Sequence, residues 1–458
     1  MIKQSDSLAY LKTLSDYSQD ILYCDPPYAL GSEIIIRKDG KVDYKKASDF
    51  MSKWEMPTGA YWEQWFAEAY RVLKHGGWLI MFGMDRQLLL FKYYAHLAEF
   101  QEQQSLYWYF ISNFPKATDL SKMIDKNAGA EREVVSQSTD RRNDGTNYEL
   151  GMTGNIVSNK PISDLAKKYD GYKYSISPLK QTNETIMVFK KPTKTGSVLH
   201  DTLAYEKGDK TITVGALNID GNRVGTNDVY DIRHYQSEDC FQNLKPKESQ
   251  FLIKPQPDGR YPAQTFIDSQ VAEVLDKQSG VSGGTERKGF PGGSTFGGAE
   301  MKDIEGQWYG DIGGCSKILN KCDYTQEDID LYYYEPKVSS SERNAGCDEL
   351  SLGQYSHDGR DKPIENPYQR NDSVARNTHP TLKPIELNYR ILSLFKTPND
   401  QTICYAFAGA GSEIIGGIKA GFENWHGCEI NQEYVDIANA RIKYWQETMT
   451  TQVSLFEL

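Results

Sequence analysis

One run near the C-terminus constrains the fold more than any other part of the chain. The apolar segment ICYAF reads as a buried strand, and it runs into Gly409-Ala410-Gly411. A helical pattern, SEIIGGIKAG, follows at once. A second strand, NWHGCEI, then carries Glu429, which lies 20 residues beyond Gly409. Small residues at a strand-to-helix turn let a ligand approach the backbone closely, and the helix N-terminus favours an anionic group. An acid at about that distance, at the end of the next strand, binds ribose hydroxyls in nucleotide-binding sheets. Strand, glycine turn, helix, strand and acid in this order point to a nucleotide cofactor. The helix after them, NQEYVDIANARIKYW, keeps Val435, Ala438, Ile442 and Trp445 on one apolar face.

The N-terminal part has the same texture. DSLAYLKTL reads as a short helix and DILYC as a buried strand. In YWEQWFAEAYRVLKHGG, residues Trp62, Phe66, Ala69, Tyr70 and Leu73 recur at helical spacing, and Gly76-Gly77 supplies the stop. WLIMFG is another buried strand, followed by a helix through YYAHLAEF and a strand SLYWYFIS. Residues 172–193 read as a strand pair closing the sheet, with ETIMVFKK as its second member. Between 193 and 375 the alternation gives way to Gly, Pro, Asp, Asn and Ser. KTITVGALNI is a short strand candidate there, and 280–298 is a flexible glycine-rich loop without the strand-then-helix setting of a phosphate loop. PIELNYRILSLF restores a helix. The chain therefore divides at 1–112, 113–171, 172–193, 194–375 and 376–458. The expected fold is an α/β, doubly wound, mostly parallel Rossmann-like sheet with a large irregular insertion.

Asp25-Pro26-Pro27-Tyr28 closes the first buried strand. Two prolines in a row cannot continue a central strand, so the motif sits at a strand-to-loop junction. Asp-Pro pairs are also common turn formers. These four residues have a chemistry beyond turning the chain. A carboxylate accepts a hydrogen bond from an amino group, a rigid diproline offers a fixed carbonyl as a second acceptor, and an aromatic ring offers a stacking face. Together they suit the exocyclic NH2 of a nucleobase flipped out of its helix.

Composition narrows the field. With 63 acidic against 52 basic residues, net charge −11, a wholly basic coat is excluded, whereas a local basic groove is not. No stretch approaches the ~18 apolar residues of a membrane helix, and the N-terminus is too polar for a signal peptide. The seven cysteines are scattered without a CxxC pair, which argues against a disulfide scaffold or a structural zinc site and for a reducing cytoplasm.

The two motifs resemble those of the N4-cytosine/N6-adenine DNA methyltransferase family, in its beta-type order, where Asp-Pro-Pro-Tyr comes early and the S-adenosylmethionine motif late. The N-terminal block up to Tyr28, HPTLKP at 379–384 and GCEINQEYVDIANARI are similar to family blocks. NFPKATDLSKMIDK, GALNIDGNRVG, GRYPA and YYYEPKVSSSERNAG resemble segments of phage-type members. The resemblance implies a catalytic half at 1–112, a possible DNA-contacting segment at 113–171, a core strand pair at 172–193, target recognition at 194–375 and a cofactor half at 376–458. It implies catalysis by Asp25, Pro26, Pro27 and Tyr28. It assigns S-adenosylmethionine to Asp6, Ser7, Cys24, Lys383, Phe407, Ala408, Gly409, Ala410, Gly411, Ser412, Glu429 and Ile430, with Asp6 and Ser7 on the adenine side and Lys383 near the methionine end. Lys116, Lys122, Arg223 and Arg260 are candidates for DNA phosphates, and no metal is implied. One departure stands out: Tyr405-Ala406-Phe407 stands where the family has Asp-Pro-Phe, whose Asp is implicated in holding the methionine part.

The activity so implied is site-specific methylation of adenine N6 in double-stranded DNA, since Asp at the first motif position favours adenine and Ser is commoner in the N4-cytosine enzymes. The alternatives are an N4-cytosine enzyme and a decayed methyltransferase, marked by Tyr405, that binds DNA or a protein partner without catalysis. Methyltransferases for RNA or protein amides carry Asn-Pro-Pro-Tyr and place the cofactor motif first, so Asp25 and the motif order speak against them. Carbon-5 cytosine methylation needs a thiolate, and the sequence has no Pro-Cys pair. A cytoplasmic place in a bacterial or phage-infected cell and a restriction-modification setting follow from the same resemblance. A homodimer is left open.

Overall fold

A computed structural model describes residues 2–28, 33–44, 57–110, 117–132, 134–138, 154–157, 160–175, 178–224, 261–267, 269–280, 287–288, 307–308, 319–321, 338, 340–351, 353–355 and 373–456. The chain forms two compact units, Met1–Leu217 with Tyr324–Leu458, and Asn218–Asp323.

The first unit is built on one sheet. In chain order its main elements are β1 (Ile2–Gln4), α1 (Ser7–Lys12), β2 (Gln19–Cys24), α2 (Gly59–Val72), β3 (Leu73–Gly83), α3 (Asp85–Leu97), β4 (Leu106–Tyr109) and β5 (Asn183–Lys190). After the intervening segments come α4 (Ile385–Phe395), β6 (Thr402–Phe407), α5 (Ser412–Lys419), β7 (Asn424–Glu429) and α6 (Gln432–Phe456). The strands lie in the order β1-β7-β6-β2-β3-β5-β4. The first five are mutually parallel, and β5 runs antiparallel to both β3 and β4.

All six residues of β2 are buried, as expected of a strand covered on both faces. On one face Leu22, Cys24, Cys404 and Ala406 pack with Trp62, Trp65 and Phe66 of α2 and Phe91 of α3. On the other, Tyr23 donates to Asn388 Oδ1 of α4 at 2.7 Å, and Trp78 meets Phe395 edge-on at 5.1 Å. Helices on both faces make the sheet doubly wound. The two halves meet at β6 and β2, where Phe407 is opposite Cys24. Two strands whose connections leave in different directions open a crevice at their carboxyl ends, which is where ligands bind in such sheets.

Three local expectations need correction. The helix α2 stops at Val72, before the Gly76-Gly77 pair, because Leu73 already takes extended backbone (ψ 140°) and Lys74 is tied to Asp20 at 2.8 Å. The 172–193 segment is not a strand pair. Lys173–Tyr174 joins Thr118–Asp119 instead, and only Asn183–Lys190 enters the large sheet. Lys173 and Tyr174 are both exposed, whereas seven of the eight residues of β5 are buried. In KTITVGALNI only Ile212 pairs, through a single bridge to His75.

In the second unit, described by itself, Thr265–Ile267 runs parallel to Asn320–Lys321, Arg287–Lys288 pairs antiparallel with Gln307–Trp308, and Ser269–Ser279 is a helix. Most of the glycine-rich 280–298 loop lies outside the described residues. Among the described residues no helix is long and apolar enough to cross a membrane.

Candidate active site

The carboxyl ends of β1, β7, β6 and β2 open on one cavity of about 490 Å³, within the range of roughly 300–1,000 Å³ usual for small-molecule sites. At its base lies the glycine turn between β6 and α5. Gly409 (φ 47°) and Gly411 (φ 79°) hold left-handed backbone that side chains disfavour. A Cβ on Gly409 would also come within 3.0 Å of His379 Nε2. Arg441, fully buried on α6, donates to Ala410 O at 2.6 Å and to Ser412 Oγ at 3.0 Å, so the turn is held from behind.

Glu429 ends β7 and takes backbone hydrogen bonds from Gly409 N and Asn431 N, each at 3.0 Å, and from the Ile430 amide. Burial pushes its carboxyl up while these amides oppose the shift. A carboxylate has about four acceptor sites, so room remains for a hydroxyl. Across the cavity, Asp6 caps α1 by accepting from Ala9 N and takes the Tyr61 hydroxyl, both at 2.9 Å. Ser7 Oγ accepts from Trp65 Nε1 at 2.8 Å.

The other end of the cavity holds the Asp-Pro-Pro-Tyr motif. Lys383 Nζ lies 2.7 Å from Asp25 Oδ2 and 3.3 Å from Glu184 Oε2, with all three side chains at most 14% exposed. It also donates to the Tyr28 hydroxyl at 3.3 Å and sits 5.1 Å from the Tyr28 ring centre. Tyr28 in turn donates to Glu184 Oε2 at 3.4 Å. Burial pushes the Asp25 carboxyl up more than Lys383 pulls it down, and the Glu184 charge adds to the rise. The same carboxylates hold the Lys383 ammonium above its ordinary range. Asp25 therefore stands as an acceptor already occupied by a cation that has a second acid within reach.

Of the residues singled out in the sequence, Asp6, Ser7, Asp25, Pro26, Pro27, Tyr28, Lys383, Phe407, Gly409, Ala410, Ser412, Glu429 and Ile430 line this cavity. Cys24 does not: it points into the apolar core beneath, because the residue before it on the strand faces the opposite helices. Ala408 and Gly411 shape the turn without lining the cavity. Lys122 lies on the helix Leu120–Asn127, and Arg223 pairs with Asp220 at 2.6 Å; neither lines the cavity. Lys116 and Arg260 lie outside the described residues.

Sequence reading missed Glu184, Glu413, His379 and Arg441. Glu184 was visible as a charge at the start of an otherwise apolar strand. It reaches the site because β5 is antiparallel, so its N-terminal end lies beside the carboxyl end of β3 (Thr185 opposite Gly83). Glu413 was visible as an acid in the first turn of an apolar helix. Its carboxyl is pushed up to about 7, chiefly by burial and then by Asp25. His379 is buried against the Tyr434 ring at 4.5 Å, and burial drives it down to about 3, so it is neutral near pH 7.

Tyr405 faces away from the cavity. Strand alternation sends its ring toward α5, edge-on to Tyr23 at 6.0 Å, where a Cβ on Gly417 would collide with its hydroxyl. That hydroxyl is buried without a hydrogen-bond partner among the described residues. A buried unsatisfied donor costs about 1–3 kcal/mol. Tyr405→Phe is therefore expected to raise the unfolding free energy by about 1–3 kcal/mol and leave ligand affinity unchanged. Urea unfolding with parallel calorimetry measures both, and a destabilised variant would mean that the hydroxyl has a partner after all.

A family model described as DNA methylase (N6_N4_Mtase) matches residues 19–440. No curated protein matches the chain. Among solved structures, the M1.HpyAVI–SAM complex is 10% identical, with 96% of this chain and 98% of that chain covered and a TM-score of 0.34. TTHA0409, a putative DNA modification methylase from Thermus thermophilus, is 10% identical over 96% and 93% of the two chains, with a TM-score of 0.33. The cytosine-N4-specific PvuII DNA methyltransferase is 11% identical over 96% and 85%, with a TM-score of 0.37.

Proposed function

The chain belongs to the N6/N4 DNA methylase family, and on that premise we propose that it transfers a methyl group from S-adenosylmethionine to the exocyclic N6 of an adenine flipped out of double-stranded DNA. The observation that carries the reading is the junction of β6 and β2. The glycine turn with Glu429 and the Asp-Pro-Pro-Tyr motif open on the same cavity from adjacent strand ends.

The residues fit the donor. Glu429 keeps room for a ribose hydroxyl, and Asp6 and Ser7 face it as the adenine side. When bound, S-adenosylmethionine supplies an electrophilic methyl on a sulfonium. The protein's task is to aim a poor nucleophile, because the adenine amino lone pair is delocalised into the ring. Asp25 and the Pro26 carbonyl accept its two N–H groups, which favours a pyramidal nitrogen, and Tyr28 holds the ring by its face. Orientation of this kind contributes about 7–11 kcal/mol at best. Base flipping costs a few kcal/mol, offset by stacking and phosphate contacts. Lys383 shifts toward Glu184 as the amino group takes its place on Asp25.

Asp rather than Ser at position 25 favours adenine over cytosine. Target recognition falls to residues 194–375, with Lys122 and Arg223 as candidates for phosphate contacts. The test is methyl transfer from labelled S-adenosylmethionine to unmethylated genomic DNA, followed by nucleoside mass spectrometry. N6-methyladenine is expected. N4-methylcytosine would move the reading to the cytosine enzymes. No methylated base, with donor binding also absent, would leave a protein that binds without catalysis.

A further inference from the structure

We propose that Glu413 is the carboxylate that receives the α-ammonium group of the donor's amino-acid part, the role left open by Tyr405. The inference rests on the S-adenosylmethionine reading above and deepens it.

The cavity is lined by four acids, Asp6, Asp25, Glu413 and Glu429, against one cation, Lys383, with His379 held neutral. Three of the acids are engaged. Asp6 takes Ala9 N and the Tyr61 hydroxyl, Glu429 takes Gly409 N and Asn431 N, and Asp25 takes Lys383. Glu413 is 7% exposed and lines the cavity, yet among the described residues its carboxylate accepts only from its own amide. Its electrostatic neighbours include Asp25, Lys383 and Arg441, together with the Tyr23 and Tyr405 phenols, which place it between the motif and the back of the glycine turn. A ligand whose ribose lies on Glu429 and whose methyl faces Asp25 carries its amino-acid part through this stretch. A buried, unpaired acid there is unfavourable until a cation arrives.

Position 405 cannot supply that acid. Its side chain is on the opposite face of β6, packed against Tyr23 and Gly417. Glu413, in the first turn of α5, comes into the same cavity from the helix side.

The test is calorimetric binding of S-adenosylhomocysteine and of its analogue lacking the α-amino group, to the full wild-type chain and to Glu413→Gln. A charge-assisted hydrogen bond to a buried carboxylate predicts that the wild type prefers the amino-bearing ligand by roughly 10- to 100-fold, and that Glu413→Gln loses this preference while still binding the desamino analogue. A wild type without the preference, or a variant that keeps it, would overturn the assignment. A wild type that binds neither ligand would instead bring down the donor reading itself. Should Glu413→Gln not fold, the wild-type preference and its loss in Glu413→Ser decide the matter, and absence of the preference alone is sufficient to reject the proposal.

Discussion

Replacing Asp25 by Asn is expected to lower single-turnover methyl transfer by roughly 10²- to 10³-fold, the usual cost of removing one preorganised polar contact to a reacting group. Donor affinity stays within about threefold, because uniform binding does not run through this residue. Asn keeps the size of Asp and one oxygen acceptor, so the loss reads charge and geometry rather than volume. The magnitude follows from the competition at this oxygen. In the free protein Asp25 Oδ2 is held by Lys383 at 2.7 Å. A neutral amino group displaces an ammonium only because the ammonium has Glu184 at 3.3 Å to move to, and because a carboxylate, unlike an amide oxygen, is a strong acceptor in a largely buried site. Rapid-quench methylation with labelled donor, with calorimetry alongside, separates the two quantities. Turnover within about threefold of wild type would remove Asp25 from the mechanism.

The sheet and its turns were legible in the sequence because their signals are local. The buried runs of β2, β6 and β7, the Gly409–Gly411 turn and the diproline stop each depend on neighbours in the chain. Their meeting was legible only through the rule that parallel strands bind ligands at their carboxyl ends. What escaped was set by non-local geometry. Glu184 enters from β5, and nothing within ETIMVFKK tells that this strand runs antiparallel and so presents its first residues to the site. Cys24 was read as a site position from the resemblance, whereas strand alternation turns its side chain into the core; Tyr405, read as a departure from the family's Asp, packs against Tyr23. Arg441 sits on a helix read for its apolar face, yet it is fully buried behind the glycine turn, 31 residues away in sequence. The pair expected at 172–193 failed because Lys173–Tyr174 pairs with Thr118–Asp119 in a separate two-stranded sheet, a partner distant in sequence.

Lys383→Met should cost about 3–5 kcal/mol of stability near neutral pH, the range found when one partner of a buried ion pair is removed. Methionine keeps the length and apolar stem of lysine, so packing over Phe82, whose ring centre lies 4.9 Å from Nζ, is largely preserved. What goes is the cation that Asp25 and Glu184 share and that also acts on Glu413. The sign of the pH dependence follows. In the wild type the Lys383 pKa is raised by its carboxylate partners, so its contribution is complete below the unfolded lysine value of about 10.4 and is lost only above it. In the variant the carboxyls respond by holding protons. Asp25 is already pushed up by burial and Glu413 to about 7 even with the lysine present. A native state that keeps protons the unfolded chain releases loses stability as pH rises from the unfolded carboxylate values, about 4, upward. The gap between wild type and variant is therefore small near pH ~5 and widens toward pH ~8. Urea unfolding followed by tryptophan fluorescence measures this, since most of the eight tryptophans, Trp62 and Trp65 in the core beneath the cavity among them, belong to the unit that contains the site. A gap that stays constant over this range would mean that Lys383 stabilises the fold through its stem, and that the acids around it are compensated by something other than its charge.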